Sequence, residues 1–326
     1  VRFGITKRHS RRWRELFAVL MACALMLLAS CNDAEPASDI SVSPFYAASS
    51  FWNTPIPANP PIDPNSALMV AKALAAVASQ AVFSNSNDWG MPLAYASASS
   101  KPYTIQCTLD CPGNTITFPI PAGALPALGS DHHLVVINGD QELDMWEASH
   151  NAANDTWSAA TRVINQLNGS GSTCPQGQHC NGAVAAGWAA MGGVIRPEEI
   201  AQGHINHALA LFLPLTKAGY IACPATHTDG VSSDPAAIPE GARVQLDPAF
   251  NVDAQPWPAW QKSIAKALQN YGAYVTDTSG VLGLRGQADQ NPGSLTWAAA
   301  GVSNNAPSLS NFPWTRMRVL QIQSCN

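Results

Sequence analysis

SDHHLVVINGDQELDMWEASH (130–150) reads as a β-hairpin, and its two faces set the expectation for the rest of the chain. Alternating apolar residues flank Asn138-Gly139-Asp140, where Asn138-Gly139 or Gly139-Asp140 supplies the tight turn that needs positive φ. The two registers differ by two residues, so both give each side chain the same face. One face carries Leu134, Val136, Leu143 and Met145, with His132 and Glu147 at its end, and is expected to be core. The other carries His133, Val135, Ile137, Glu142, Asp144 and Trp146. A histidine, two carboxylates and a tryptophan suit a ligand with hydroxyls and a flat apolar face, as a sugar has. The plain alternative is a solvent-facing strand that happens to carry a tryptophan.

Outward from the hairpin, further segments have strand character: TITFPI (115–120), HALALFL (207–213), ARVQLD (242–247), AYVTDT (273–278) and RMRVLQIQ (316–323). Two helices are expected. One follows Asp63-Pro64, a good cap and first-turn pair, and runs to about residue 80. The other follows Pro258, where Trp260, Ile264, Leu268 and Tyr271 make an apolar stripe that Gly272 stops. A shorter turn can begin at Pro197-Glu198-Glu199, whose carboxylates suit a helix N-terminus. Many short strands with two or three peripheral helices and long loops predict a mainly β fold, a β-sandwich or jelly roll. Strand–helix alternation is missing, which argues against an open α/β sheet.

Chemistry concentrates in two more places. In IRPEEIAQGHINHALALFLPL (195–215), His207 opens a strand and reads as a rim histidine or a base. Arg196 in the same run joins Trp146 and Glu142 as a substrate-binding candidate. His204 and His207 would share a face only on a helix, and no HExxH is present, so a metal-dependent hydrolase built on His204, His207 and His227 ranks low and no metal site is expected. In CPATHTDG (223–230), His227 and Asp229 stand where a strand runs into a turn. Asp277, near Ser279-Gly280, reads as a structural hairpin residue. No GxSxG elbow, Walker loop, dinucleotide glycine motif or CxxCH occurs, and no cofactor is expected.

Residues 1–30 join a basic segment (Arg2, Lys7, Arg8, Arg11, Arg12, Arg14) to an uncharged apolar run over 16–28. That order reads as an export signal and not a membrane span. Leu28-Ala29-Ser30-Cys31 resembles the lipobox of bacterial lipoproteins, which implies cleavage before Cys31 and a lipid on its thiol. The resemblance implies a protein of the bacterial cell envelope, touching the membrane through its anchor alone. Residues 31–44 read as a polar tether, and 45–326 as a single β-rich domain. Loss of six bases and Glu15 with the signal leaves 11 Lys and Arg against 21 Asp and Glu, a net charge of −10. That balance gives no electrostatic case for nucleic acid. Six cysteines remain, an even number suited to disulfides outside the cytoplasm. The short loops suggest Cys107–Cys111 and Cys174–Cys180, leaving Cys223 for Cys325.

These features converge on a polysaccharide or oligosaccharide partner, and on a glycoside hydrolase as the leading expectation. Glycosidic cleavage needs two carboxyl groups, for which Asp144 and Asp229 are the candidates. His133 would tune one of them and Trp146 would stack on a sugar. A polysaccharide lyase with His207 or His227 as base is a close variant. A glycan-binding or surface-structural lipoprotein without catalysis is the alternative from another class.

Overall fold

The computed structural model describes residues 42–77, 80–111, 115–173 and 182–325. The export signal, Cys31, most of the tether and the Cys174 and Cys180 pair lie outside the described residues. The chain is mainly β, with fifteen strands and three α-helices among those described.

The first sheet holds β2 (Met91–Tyr95), β5 (Leu134–Asn138), β6 (Gln141–Trp146) and β9 (Thr161–Gln166), with β14 (Gln287–Ala288) on its edge in the order β14-β2-β5-β6-β9. The expected hairpin is its centre: Asn138 pairs with Gln141 across a two-residue Gly139-Asp140 loop, and Gly139 has φ +58°. The second sheet holds β3 (Lys101–Cys107), β4 (Ile116–Ile120), β7 (Ser149–Asn151) and β8 (Thr156–Ala159) in the order β4-β3-β8-β7. Alternation along each strand sends one set of side chains between the two sheets. Leu134, Val136, Leu143 and Met145 meet Ile105, Phe118, Ile120 and Trp157 there, all nearly or fully buried. Each such side chain contributes about 1.5–3 kcal/mol when removed from water. The apolar face read from the hairpin is therefore the core of this sandwich.

The third sheet has six strands in the order β1-β13-β10-β12-β11-β15. They are β1 (Ala81–Ser84), β10 (Leu209–Leu213), β11 (Arg243–Leu246), β12 (Ala273–Thr278), β13 (Leu282–Arg285) and β15 (Met317–Val319). Helices α1 (Ser66–Ala75) and α3 (Ala259–Asn270) contribute Met69, Val70, Ile264 and Leu268 to the core on this sheet. Between them in sequence lies α2 (Pro197–Ala201), the short turn expected at Pro197. Helix α1 ends earlier than expected, at Ala75. The sheets are mixed: β1–β13, β10–β12, β2–β5 and β3–β8 are parallel pairs.

That topology corrects the reading of Asp277. Strand β10 lies between β12 and β13, so residues 279–281 are a crossover and not a hairpin turn. Gly283 lets the crossover strand lie close to β10, because a Cβ there would sit 2.4 Å from the Phe212 ring.

Candidate functional site

The second face of the hairpin is not wet. Residues 183–194 cover it, and Val135 and Ile137 pack against Val184, Met191 and Val194. Glu142 and Asp144 are fully buried beneath the same segment. Glu142 accepts hydrogen bonds from the Tyr46 hydroxyl (2.8 Å) and the Met191 N–H (2.9 Å). Asp144 Oδ2 accepts from Ala190 N–H (2.9 Å) and Asn165 Nδ2 (2.7 Å). Burial raises both carboxyls, Asp144 the further, since Glu142 beside it adds like charge. Asp144 Oδ1 has no hydrogen-bond partner. The pair fastens the 183–194 segment to the sheet. The expected juxtaposition of Asp144 with Asp229 across a cleft is not what the structure brings together.

Arg196 and His207 also face inward. Glu199 sits between them, 2.9 Å from Arg196 Nη2 and 3.0 Å from His207 Nε2. Burial raises the Glu199 carboxyl, but His207 and Arg196 outweigh it and hold it at about 2. His207 Nδ1 lies 2.8 Å from the Ala208 carbonyl, so both ring nitrogens are engaged and neither is open to a substrate proton. Arg196 also donates to the Ser43 carbonyl (2.8 Å) and lies over the Phe45 ring. This buried network ties the start of the described chain to α2, and Arg196 is not among the residues that line the cleft described next.

The remaining candidates converge. A cleft of about 860 Å³ opens where the ends of β6 and β9 approach β1, β10, β12 and β13. His133, Trp146, His227 and Asp229 all line it. So do Asp131, Asp277 and Arg285, which the sequence reading did not select. Trp89, half exposed, stands on its wall. His227 Nδ1 donates to the Ala185 carbonyl (2.9 Å), which assigns the tautomer and leaves Nε2 an acceptor. Burial, and then the Arg285 charge, push His133 down to about 3, so its ring is neutral. Its N–H serves the Met145 backbone, and Nδ1 has no partner.

Asp277 receives Arg285 Nη2 at 3.1 Å. Burial raises its carboxyl to about 7; Arg285 lowers it, and the charges of Asp229 and Asp131 oppose that relief. Behind Asp229 lies Glu240, with no exposed surface. Its Oε1 accepts from Thr216 Oγ1 (3.1 Å) and Thr278 Oγ1 (3.3 Å), while Oε2 has no donor. Burial first, then Asp229 and Asp277, raise Glu240 to about 9. Glu240 is thus protonated at neutral pH beside Asp229, whose Oδ1 accepts from the Thr278 N–H (3.3 Å). The cleft therefore holds a carboxyl titrating near neutrality, a second carboxyl backed by a buried acid, a histidine acceptor and two indoles.

His204 is apart from this group, exposed with Nδ1 3.3 Å from the Gln202 carbonyl. The three histidines weighed for a metal do not assemble, and no group of three metal-ligating side chains occurs among the described residues. No helix among the described residues is long and apolar enough to cross a membrane. Disulfides join Cys107 to Cys111 and Cys223 to Cys325. No family model matches the chain, and neither the curated proteins nor the solved structures include a detectable relative.

Proposed function

We infer that the chain is an exported, lipid-anchored enzyme that cleaves glycans in this cleft, most simply by hydrolysis. The observation that carries the reading is the meeting of Asp277, titrating near 7, with Asp229, His227 and Trp146 around one opening of about 860 Å³. Asp277 is the acid: it gives its proton to the departing glycosidic oxygen. Asp229 is the base: it takes a proton from water, whose hydroxyl joins the sugar carbon as the glycosidic bond breaks. His227 Nε2 accepts from the water or a sugar hydroxyl, and Trp146 and Trp89 offer flat faces to the rings. His227 as the proton-abstracting base would make the protein a lyase instead, and this second reading rests on its free Nε2.

Soluble protein from residue 42 onward, incubated with bacterial, plant and fungal polysaccharides, tests the proposal by mass spectrometry of the products. Hydrolysis adds one water per cut; a lyase leaves an unsaturated end. Asp277→Asn should lower turnover by about 10²-fold or more with the fold intact by circular dichroism. Retention on a glycan without any product would make the protein a binding module.

A further inference from the structure

Four aspartates line the cleft, Asp110, Asp131, Asp229 and Asp277, against one guanidinium, Arg285, which Asp277 already occupies. No Lys or Arg among the described residues forms an ion pair with Asp131 or Asp229. Asp131 receives only the Ser130 hydroxyl (3.3 Å) on its side chain, and Asp229 the Thr278 N–H. The guanidinium of Arg285 also lies over the Phe212 ring, 5.4 Å from its centroid. A second observation points the same way. His133 lines the cleft, is 95% buried, and carries at Nδ1 a lone pair with no donor. The Asp131 and Asp229 oxygens and the His133 Nδ1 lone pair are acceptors, so a donor-rich, positive group complements this wall. An ammonium has three N–H donors and no acceptor.

We propose that the cleft selects an amine-bearing glycan, such as a polymer with free glucosamine units, whose ammonium groups pair with Asp131 and Asp229 beside His133. The proposal rests on the glycan reading of the cleft and names the substrate class within it. Carboxylates at a few ångströms repel uronate or sulfate groups and attract ammonium groups by the same Coulomb energy. Asp131, Asp229 and Asp277 all line the same opening. Uronate polymers, the usual material for β-elimination, are therefore the class this cleft excludes, which favours hydrolysis over the lyase chemistry of His227.

Isothermal titration of the protein from residue 42 onward at about pH 6, where free amines are charged, tests it with four probes: a glucosamine hexamer, an N-acetylglucosamine hexamer, an oligogalacturonate and tetralysine. The amine hexamer should bind about tenfold tighter than its acetylated counterpart, and the galacturonate should not bind. The preference should shrink in high salt, a readout on the unaltered protein. Asp131→Asn should weaken the amine hexamer severalfold while leaving the acetylated one unchanged. Equal or tighter binding of the neutral or acidic oligomer overturns this proposal and leaves the glycan reading in place. Tetralysine binding with no glycan bound overturns the glycan reading and the proposal with it, as does binding of none of the four.

Discussion

Glu240 carries the largest proton-linked term at the cleft. Its carboxyl is held at about 9 in the folded chain, by burial and then by Asp229 and Asp277, against about 4.3 when unfolded. A raised native value means that the folded state binds the proton more tightly. The resulting stability is complete below about pH 4, and it is lost as pH rises toward 9. Asp277 acts with the same sign over a narrower window that closes near pH 7. Glutamine at 240 keeps an oxygen for Thr216 and Thr278, and it removes the titration. Glu240→Gln should therefore shrink the fall in unfolding free energy between pH 5 and pH 8 by at least about 1 kcal/mol. Urea midpoints at the two pH values measure it, and an unchanged difference would mean that Glu240 ionises as an ordinary surface carboxyl.

At the scale of elements, the β5–β6 hairpin shows what alternation can and cannot say. Its period of two assigned the residues of the paired strands to the correct faces, so Leu134, Val136, Leu143 and Met145 were legible as core, whereas His132 and Glu147 lie outside the strands at positive φ. What covers the opposite face was not legible, because GAVAAGWAAMGGV (182–194) has neither strand nor helix periodicity to advertise a lid. The lid is held by polar groups: Ala190 and Met191 N–H reach Asp144 and Glu142 in a dry site. Truncating Asp144 strands the Ala190 N–H and the Asn165 amide, and each stranded group costs about 1–3 kcal/mol. Asp144→Ala should lose about 2–4 kcal/mol of unfolding free energy. Asp144→Asn keeps an acceptor for Ala190 and Asn165, so it should cost about 1 kcal/mol. Equal losses for the two variants in urea titrations would reject the hydrogen-bonded clamp. The same limit hid part of the cleft. Strand pattern places AYVTDT on a strand but not beside β10, and only that pairing carries Asp277 to Arg285 and the opening. His227 and Asp229 were singled out as standing where a strand runs into a turn, whereas residues 223–230 carry no strand and follow isolated bridges at Ile221 and Ala222.

For the molecule as a whole, the cleft is assembled from distant parts of the chain, from β1 to β13, so its geometry depends on long-range closure. The Cys223–Cys325 disulfide supplies part of that closure, spanning 102 residues of sequence. It lies beside the pairing of Cys223 N–H with the Gln323 carbonyl and of Cys325 N–H with the Ile221 carbonyl, just before His227 and Asp229. Cross-linking a loop of this length removes unfolded-state entropy worth about 4.7 kcal/mol, whereas the Cys107–Cys111 loop, with a separation of 4, removes far less. The two bonds therefore separate by consequence. Replacing Cys223 and Cys325 together by alanine should lower the unfolding free energy by about 3–5 kcal/mol, and replacing Cys107 and Cys111 by about 1–2 kcal/mol. Because β11 and β12 keep their ladder and α3 its apolar face, the folded form of the first variant should retain near-native circular dichroism. Guanidinium titrations of both variants under non-reducing conditions measure the difference. Equal destabilisation would mean that the long bond acts through local strain and not through closure, and that the wall bearing His227 and Asp229 is held by its hydrogen bonds alone.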